Sequence, residues 1–219
     1  FEESMSNVKA ISGATAEEFD KLTAKAKEEG ATTKFTAKDS ADAFGYMAMA
    51  GWKTEDMLQG IDGIMSLAAA SNEDLATTSD IVTDALTAFG LKASDSGHFA
   101  DVLAQASANA NTNVGMMGES FKYVAPVAGA LKYSVEDVSL ALGLMANASV
   151  KGSMAGTSLK TSLANMAAPT DKMEAAMDKY GISLTKRNGE MKTMHEVLDN
   201  LRSSLGGLSE TEQTAAAST

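Results

Sequence analysis

The chain has 219 residues, and its 29 acidic and 18 basic side chains give a net charge of −11 at pH 7. Because it contains no cysteine, a disulfide framework, a thiolate metal site and a cysteine nucleophile are excluded. An acidic chain without a lysine or arginine cluster is not typical of nucleic-acid binding, which depends on phosphate neutralisation. No apolar run approaches the roughly 18–20 residues that span a bilayer, and no signal-peptide pattern opens the chain.

The composition favours a helical fold. Alanine occupies 38 positions, aromatic residues make up only 5% of the chain, and there are two prolines, which interrupt helices where they occur. A core of alanine, leucine and methionine packs helices closely. We therefore expect an all-α protein, a compact multi-helix bundle of about nine or ten short helices. Because the first residue is Phe1 rather than methionine, we expect a piece of a longer chain.

A capping box opens the first predicted helix. Thr15 and Glu18 stand three residues apart, so that hydroxyl and carboxylate can satisfy free N–H groups at a helix start. The helix is predicted to run to Glu29, with Gly30 as its left-handed terminator.

Caps and apolar residues at helical spacing indicate the following helices. A break or kink is expected at Pro126. The predicted helices begin at or near Thr36, Asp56, Asn72, Phe99, Phe121, Ser134, Leu159, Thr170, Thr193 and Ser209. No fixed-period repeat defines a solenoid, although successive helical hairpins of similar length could stack in that way.

One stretch departs from the helical pattern. Ile182 to Thr185 alternates apolar and polar residues, and Asn188-Gly189 is the favoured pair for a tight turn. We predict a small β-hairpin or extended turn over 182–191. The domain division that follows is a helical segment over 1–35, with a linker from a longer chain as its alternative, a helical core over 36–205, and a further helix or flexible tail over 206–219.

A series of short strings carries a family resemblance. Each is weak alone, but their order and spacing are specific. They are DALTAFGL at 84–91, FADVLAQA at 99–106, MGESFKYVAPVA at 117–128, SVED at 134–137, GLMA at 143–146, GSMAGTSLK at 152–160, APT at 168–170 and Gly181-Ile182. Together they closely resemble the core region of phage tail tape measure proteins, most specifically over 84–182.

The resemblance implies a structural scaffold inside the tail tube of a long-tailed phage or prophage, whose length sets tail length. It implies assembly in the bacterial cytoplasm with the tail tube protein, tail assembly chaperones and other copies of itself as partners. It also implies release at infection to assist DNA delivery. We expect no enzymatic activity, cofactor, metal, direct nucleic-acid contact or membrane span in this segment. The alternative is a cell-wall-degrading or membrane-active module of the same tail protein.

Candidate partner contacts lie in the most family-specific string and just before it. Met116 and Met117 are adjacent, so both cannot face inward on one helix, and one of them is available to a partner. Lys122, Tyr123 and Pro126 are the other candidates for contact with a chaperone, the tube or another copy. The alternative for these three is a kinked helix whose aromatic ring packs on a neighbour.

Several other residues have simpler interpretations. His98 and His195 lie far apart and lack a nucleophile or base partner in the sequence, so they give little support for catalysis. The apolar spacing predicts that Met145, Met166, Met173 and Met177 lie in the core. The negative charge is consistent with repelling DNA in a shared channel, and equally with ordinary solubility.

Overall fold

A computed structural model shows the fold and describes residues 1–217. This part of the chain is helical, with a short 3-10 turn at Ala93–Asp95. Its α-helices are α1 (Glu2–Ser12), α2 (Ala16–Thr32), α3 (Ala37–Met49), α4 (Thr54–Ser71), α5 (Leu75–Phe89), α6 (Ser96–Ala108), α7 (Val114–Ala130), α8 (Val135–Asn147), α9 (Gly152–Ala167), α10 (Asp171–Tyr180), α11 (Met194–Leu205) and α12 (Glu210–Ala217).

The all-α prediction is confirmed, but the predicted number of nine or ten helices is wrong. The described residues form twelve α-helices. The helix α1 was not predicted because it begins without a side-chain cap at Phe1, so the sequence carries no start signal there.

Local capping signals place several helix starts correctly. In each case a threonine or serine side chain accepts the third backbone N–H of the helix, and the carboxylate at that position accepts the cap N–H. These capping boxes are formed by Thr15, Thr36, Ser134 and Thr193.

Two predicted helix boundaries, the end at Gly30 and the start at Asn72, are wrong. Gly30 lies inside α2, which continues to Thr32. A Cβ at Gly30 would overlap the backbone nitrogen of Ala37, so the glycine permits the start of α3 to approach α2. Asn72 has a φ of 58° and ends α4 instead of opening α5, which is capped by Asp74.

Of the two alternatives predicted over 182–191, a β-hairpin or an extended turn, the hairpin is wrong, since the described residues contain no strand. Thr185 and Met191 form one isolated antiparallel bridge, and the turn is closed by the Lys186 N–H donating to the Glu190 carbonyl at 2.7 Å. The pairing does not extend because the Ser183 N–H donates to Asn200 Oδ1 on α11 at 3.1 Å instead of across the turn.

The helices stack in two rows. In the first row, each odd-numbered helix from α1 to α9 packs on the next odd-numbered one. In the second row, α2, α4, α6 and α8 pack on one another in the same way, and α8 packs on α11. Consecutive helices connect the rows. Successive helical hairpins therefore stack side by side, and the main contacts lie between near neighbours, as in a repeat protein.

The core runs between the rows. Its largest fully buried side chains include Phe44, Phe99 and Phe121, and the last two rings meet edge to face at 5.6 Å.

The four methionines assigned to the core are only half-buried, so that prediction is wrong. Met145 and Met166 pack against the core from its edge. Met173 and Met177 line an open groove of about 320 Å³ at the end of the stack, where α10 has no buried residue. Apolar spacing identified the inward side of each helix, but not how completely its neighbours cover it.

Candidate interaction surface

The helix α7 carries the candidate contact residues, and its start is determined by a side-chain cap. The Oδ1 atom of Asn113 accepts the Met116 backbone N–H at 2.8 Å. One side of α7 is buried between the neighbouring helices. It consists of Val114, Met117, Gly118, Ser120, Phe121, Val124, Ala125 and Ala128.

The adjacent methionines point in opposite directions. Met116 is 43% exposed, whereas Met117 is 1% exposed. Met117 therefore belongs to the core, and Met116 is the member of the pair that a partner could reach.

Lys122, Tyr123 and Pro126 are exposed on the same side of α7 as Met116, and Tyr123 keeps 41% of its surface accessible. Because Met116 and Tyr123 are seven residues apart, they lie almost in line along the helix. We call Met116, Lys122, Tyr123 and Pro126 the α7 surface. It combines a thioether, a phenol and an ammonium group within four helical turns.

Pro126 does not break α7, which continues to Ala130. Its ring faces solvent. Because proline has no N–H, the carbonyl of Lys122 lacks the donor that a helix normally supplies. Pro126 is therefore part of the exposed face of α7 without ending the helix.

Close packing against α9 holds α7 in place. The Ser120 hydroxyl lies 2.8 Å from the Gly152 carbonyl and 3.0 Å from the Met116 carbonyl. A Cβ at Gly156 would overlap the backbone carbonyl of Ser120. The glycine is thus required by the close approach of the two helices, and the α7 surface rests on a tightly packed support.

The electrostatics beside Lys122 come from α5. Partial burial and the neighbouring Asp80 raise the pKa of Asp84, and Lys122 offsets part of that increase. The Lys122 end of the α7 surface therefore lies near the carboxylate of Asp84 on α5.

A second exposed patch lies between α6 and α8 and was missed in the sequence. Leu140 is 41% exposed and Leu144 is 49% exposed, one turn apart on α8. They flank a groove of about 320 Å³, which we call the α6/α8 groove. Its lining residues are Val102, Gln105, Ala106, Asn109, Ala110, Glu136, Ser139, Leu140, Gly143 and Leu144. Because α8 is apolar on most sides, its sequence pattern did not distinguish the exposed leucines from buried ones.

Hydrogen bonds close the groove at both ends. His98 Nε2 lies 2.5 Å from Glu136 Oε1, and the Asn111 N–H donates to Asn147 Oδ1 at 2.8 Å. Burial alone would raise the pKa of Glu136, but hydrogen bonds from its own backbone, Ser134 and His98 together lower it.

Each of the two histidines pairs with one carboxylate in an exposed position. His195 pairs with Asp199 at 3.2 Å on an exposed part of α11. Within residues 1–217, no three histidine, aspartate or glutamate side chains are grouped so that they could hold a metal ion. In the same part of the chain, none of the helices is both long and apolar enough to cross a bilayer.

Comparisons with known proteins identify the family. Residues 23–219 match the family of phage-related minor tail proteins. The chain is 39% identical over 213 residues, 97% of its length, to the tape measure protein of Pneumococcus phage Dp-1. It is 25% identical over 206 residues, 93% of its length, to the probable tape measure protein of Escherichia phage P2.

The matched region is a minor part of both relatives. The chain spans 18% of the Dp-1 protein and 25% of the P2 protein. No solved structure matches the chain. The match over 23–219 covers most of the sequence, and the chain therefore belongs to the family of phage-related minor tail proteins.

Proposed function

We propose that this chain is a segment of a tape measure protein and acts as a structural scaffold in the tail of a long-tailed phage or prophage. The observation that carries the proposal is the 39% identity to the Dp-1 tape measure protein over 97% of this chain. The fold supports it, because two rows of packed helices present docking surfaces. The segment has a structural role and no catalytic one.

The scaffold is assembled in the bacterial cytoplasm, occupies the lumen of the tail tube, and leaves the tube at infection to assist DNA delivery. The net charge of −11 supports this location, because an acidic surface repels the DNA that later passes through the same channel. The segment makes no direct nucleic-acid contact.

Within the parent protein, the segment acts as a folded module and not as the measuring rod. A continuous helix of 219 residues would span roughly 330 Å at about 1.5 Å per residue. The five helices of the odd-numbered row, spaced about 8–10 Å apart, give a stack roughly 40–50 Å long. Most of the measured length then lies in the larger part of the parent chain.

The α7 surface contacts the partners of the scaffold, which are the tail tube protein, the tail assembly chaperones and other copies. Met116, Lys122, Tyr123 and Pro126 are exposed, while the rest of α7 is fixed by the core. Changing Tyr123→Ala in the parent gene should reduce the number of complete tails seen by electron microscopy. The matched control is Met154→Ala, a change at a residue of α9 that is 62% exposed. Equal numbers of tails from both variants would contradict the assignment of this surface.

The location in the tube can be tested with antibodies raised against the 219-residue chain. Purified virions should contain the segment, and the antibodies should bind only after the tails are disrupted. Absence of the segment from purified virions, or antibody binding along intact tails, would contradict the proposal.

A further inference from the structure

We propose that Asn188 is a site of spontaneous chemical modification, at which the chain converts its own asparagine to aspartate and isoaspartate. In this reaction the backbone nitrogen of Gly189 attacks the side-chain carbon Cγ of Asn188 and closes a succinimide ring, which water then opens. The inference concerns the chemistry of the chain itself and does not depend on the proposed function.

Asn188 has the least hindered sequence context of any asparagine in the chain. It is followed by glycine, whereas every other asparagine is followed by a residue that carries a side chain. A side chain on the following residue crowds the backbone nitrogen that must approach Cγ, and glycine leaves that path open. Ring closure therefore meets the least steric resistance at Asn188.

The fold leaves this pair of residues accessible. Arg187, Asn188, Gly189 and Glu190 are all exposed, in the turn between α10 and α11. Gly189 has a φ of 86°, and no atom lies within 4 Å of the position that a Cβ would occupy there. Helical asparagines such as Asn165 lack this freedom, because the hydrogen bonds of a helix hold the next peptide nitrogen in place. The turn therefore permits the backbone rotation that ring closure requires.

A hydrogen bond prepares the side chain of Asn188 for attack. Its Oδ1 atom accepts the backbone N–H of Glu190 at 3.1 Å. As the nitrogen attacks Cγ, negative charge develops on this oxygen, and a donor already directed at it stabilises that charge. The turn therefore both exposes the amide and lowers the barrier to its displacement.

One contact of the turn opposes the reaction. The Gly189 N–H donates to the Lys186 carbonyl at 3.0 Å, and this bond must open before the nitrogen can lose its proton and attack. Because the bond lies in an exposed turn, water competes for both of its groups, and its opening costs little free energy. We therefore expect the folded chain to react, and not only the unfolded one.

The reaction needs only water. The bond from Cγ to the amide nitrogen Nδ2 breaks as the bond from Cγ to the Gly189 nitrogen forms, and the proton of the Gly189 nitrogen leaves with the amide group as ammonia. Water then cleaves the ring on one of its two sides. Cleavage of the new bond at Cγ gives aspartate, and cleavage at the backbone carbonyl carbon of Asn188 gives isoaspartate. In isoaspartate the main chain runs through the side chain and is one methylene longer.

Isoaspartate does not fit the turn as it is folded. The Lys186 N–H donates to the Glu190 carbonyl, and the Lys192 N–H donates to the Leu184 carbonyl, both at 2.7 Å. These two bonds fix the length of the backbone between them, so an inserted methylene breaks the inner one. The modification also adds a carboxylate beside Glu190, in a chain that is already acidic. The turn over 185–191 therefore loosens, while helices α1 to α9 keep their packing.

Peptide mass spectrometry of the folded chain, incubated in water enriched in heavy oxygen, tests the site. Asn188 should exchange its amide for an oxygen from the water about tenfold faster than Asn72, which is also exposed but precedes Glu73. Gly189→Ala should slow the reaction at position 188 by a similar factor, because a methyl group crowds the attacking nitrogen. Equal rates at Asn188 and Asn72, or reaction at Asn188 only in the urea-unfolded chain, would overturn the proposal.

Hydrogen exchange tests the effect of the modification on the turn. The modified chain can be separated from the original one by its additional negative charge. Asn188→Asp is the matched control, since it carries the same charge on a main chain of normal length. The peptide over 184–192 should exchange faster in the modified chain than in Asn188→Asp, and peptides from α7 should exchange alike in both. Equal exchange of 184–192 in the two chains would overturn the loosening of the turn by isoaspartate.

Discussion

The ammonium group of Lys25 on α2 lies 2.9 Å from Oδ1 of Asp62 on α4, and it lies equally close to Oε1 of Glu29, one turn along its own helix. Glu29 is 5% exposed, so its carboxylate depends on Lys25 for charge compensation. Burial opposes the charge of Lys25, but the hydrogen bonds to Glu29 and Asp62 outweigh it and raise the pKa of the ammonium group. This cluster links α2 to α4 within the even-numbered row.

Replacing Lys25 should destabilise the fold. We expect Lys25→Met to lower the free energy of unfolding by about 1–3 kcal/mol, because Glu29 is left buried without its partner. Lys21→Met is the matched control, since Lys21 forms an exposed pair with Glu17 at 3.1 Å on the same helix. Its effect should stay within about 0.5 kcal/mol. Urea unfolding measures both variants, and equal losses of the free energy of unfolding would contradict a stabilising role for the Lys25 cluster.

The same cluster predicts a pH dependence. Burial is the main cause of the raised pKa of Glu29. Asp62 adds to it, and Lys25 offsets part of it. The folded chain keeps the carboxyl proton of Glu29 to a higher pH than the unfolded chain does. Glu29 therefore adds stability below its ordinary pKa of 4.5, and this contribution is lost as the pH rises above that value.

Glu29→Gln should therefore become more stable relative to the original chain as the pH is raised from about 4 to 7. Urea unfolding at a series of pH values measures the difference. Glu28→Gln, a change at the exposed neighbouring carboxylate, serves as the control. If Glu29→Gln instead became less stable relative to the original chain as the pH rises, the pKa of Glu29 would be lowered by folding and not raised.

Two glycines inside helices, one at the contact between α7 and α9 and one in open space, should respond in opposite ways to substitution by alanine. Gly156→Ala should lower the free energy of unfolding by about 1–3 kcal/mol, because the new methyl group meets the Ser120 carbonyl. Gly45→Ala, in the interior of α3 with open space around its Cβ position, should raise it by up to about 1 kcal/mol. Thermal unfolding followed by circular dichroism gives both values. A stable Gly156→Ala variant would exclude the close packing of the two helices.

The adjacent methionines of α7 should differ in their contribution to stability. Met117→Ala should cost about 2–5 kcal/mol, because it opens a cavity in the core. Met116→Ala should change the stability by less than about 0.5 kcal/mol, because its side chain is largely in solvent. Chemical unfolding of the two variants measures both, and similar losses would mean that Met116 is also part of the core.

Sequence reasoning succeeded where the signal is local. The capping boxes at Thr15 and Ser134 depend on two side chains within one turn, so the residue types alone predict them. It failed at Gly30 because glycine serves both left-handed helix ends and close helix contacts, and only the packed fold distinguishes the two uses.

The interaction surfaces were only partly predictable for the same reason. The exclusion of one adjacent methionine from the core follows from helix geometry, but only packing determines that Met116 is the exposed one. The α6/α8 groove depends on the separation of two helices that are far apart in sequence, and the exposure of Leu144 has no signature in its neighbours.

Tail length is the most direct test of whether this segment acts as a folded module. The measurement is electron microscopy of phages whose parent gene carries the segment zero, one or two times in frame. A folded stack predicts that each copy changes tail length by no more than about 50 Å. A change of roughly 330 Å per copy would show instead that the segment is extended as a continuous helix and measures the tail.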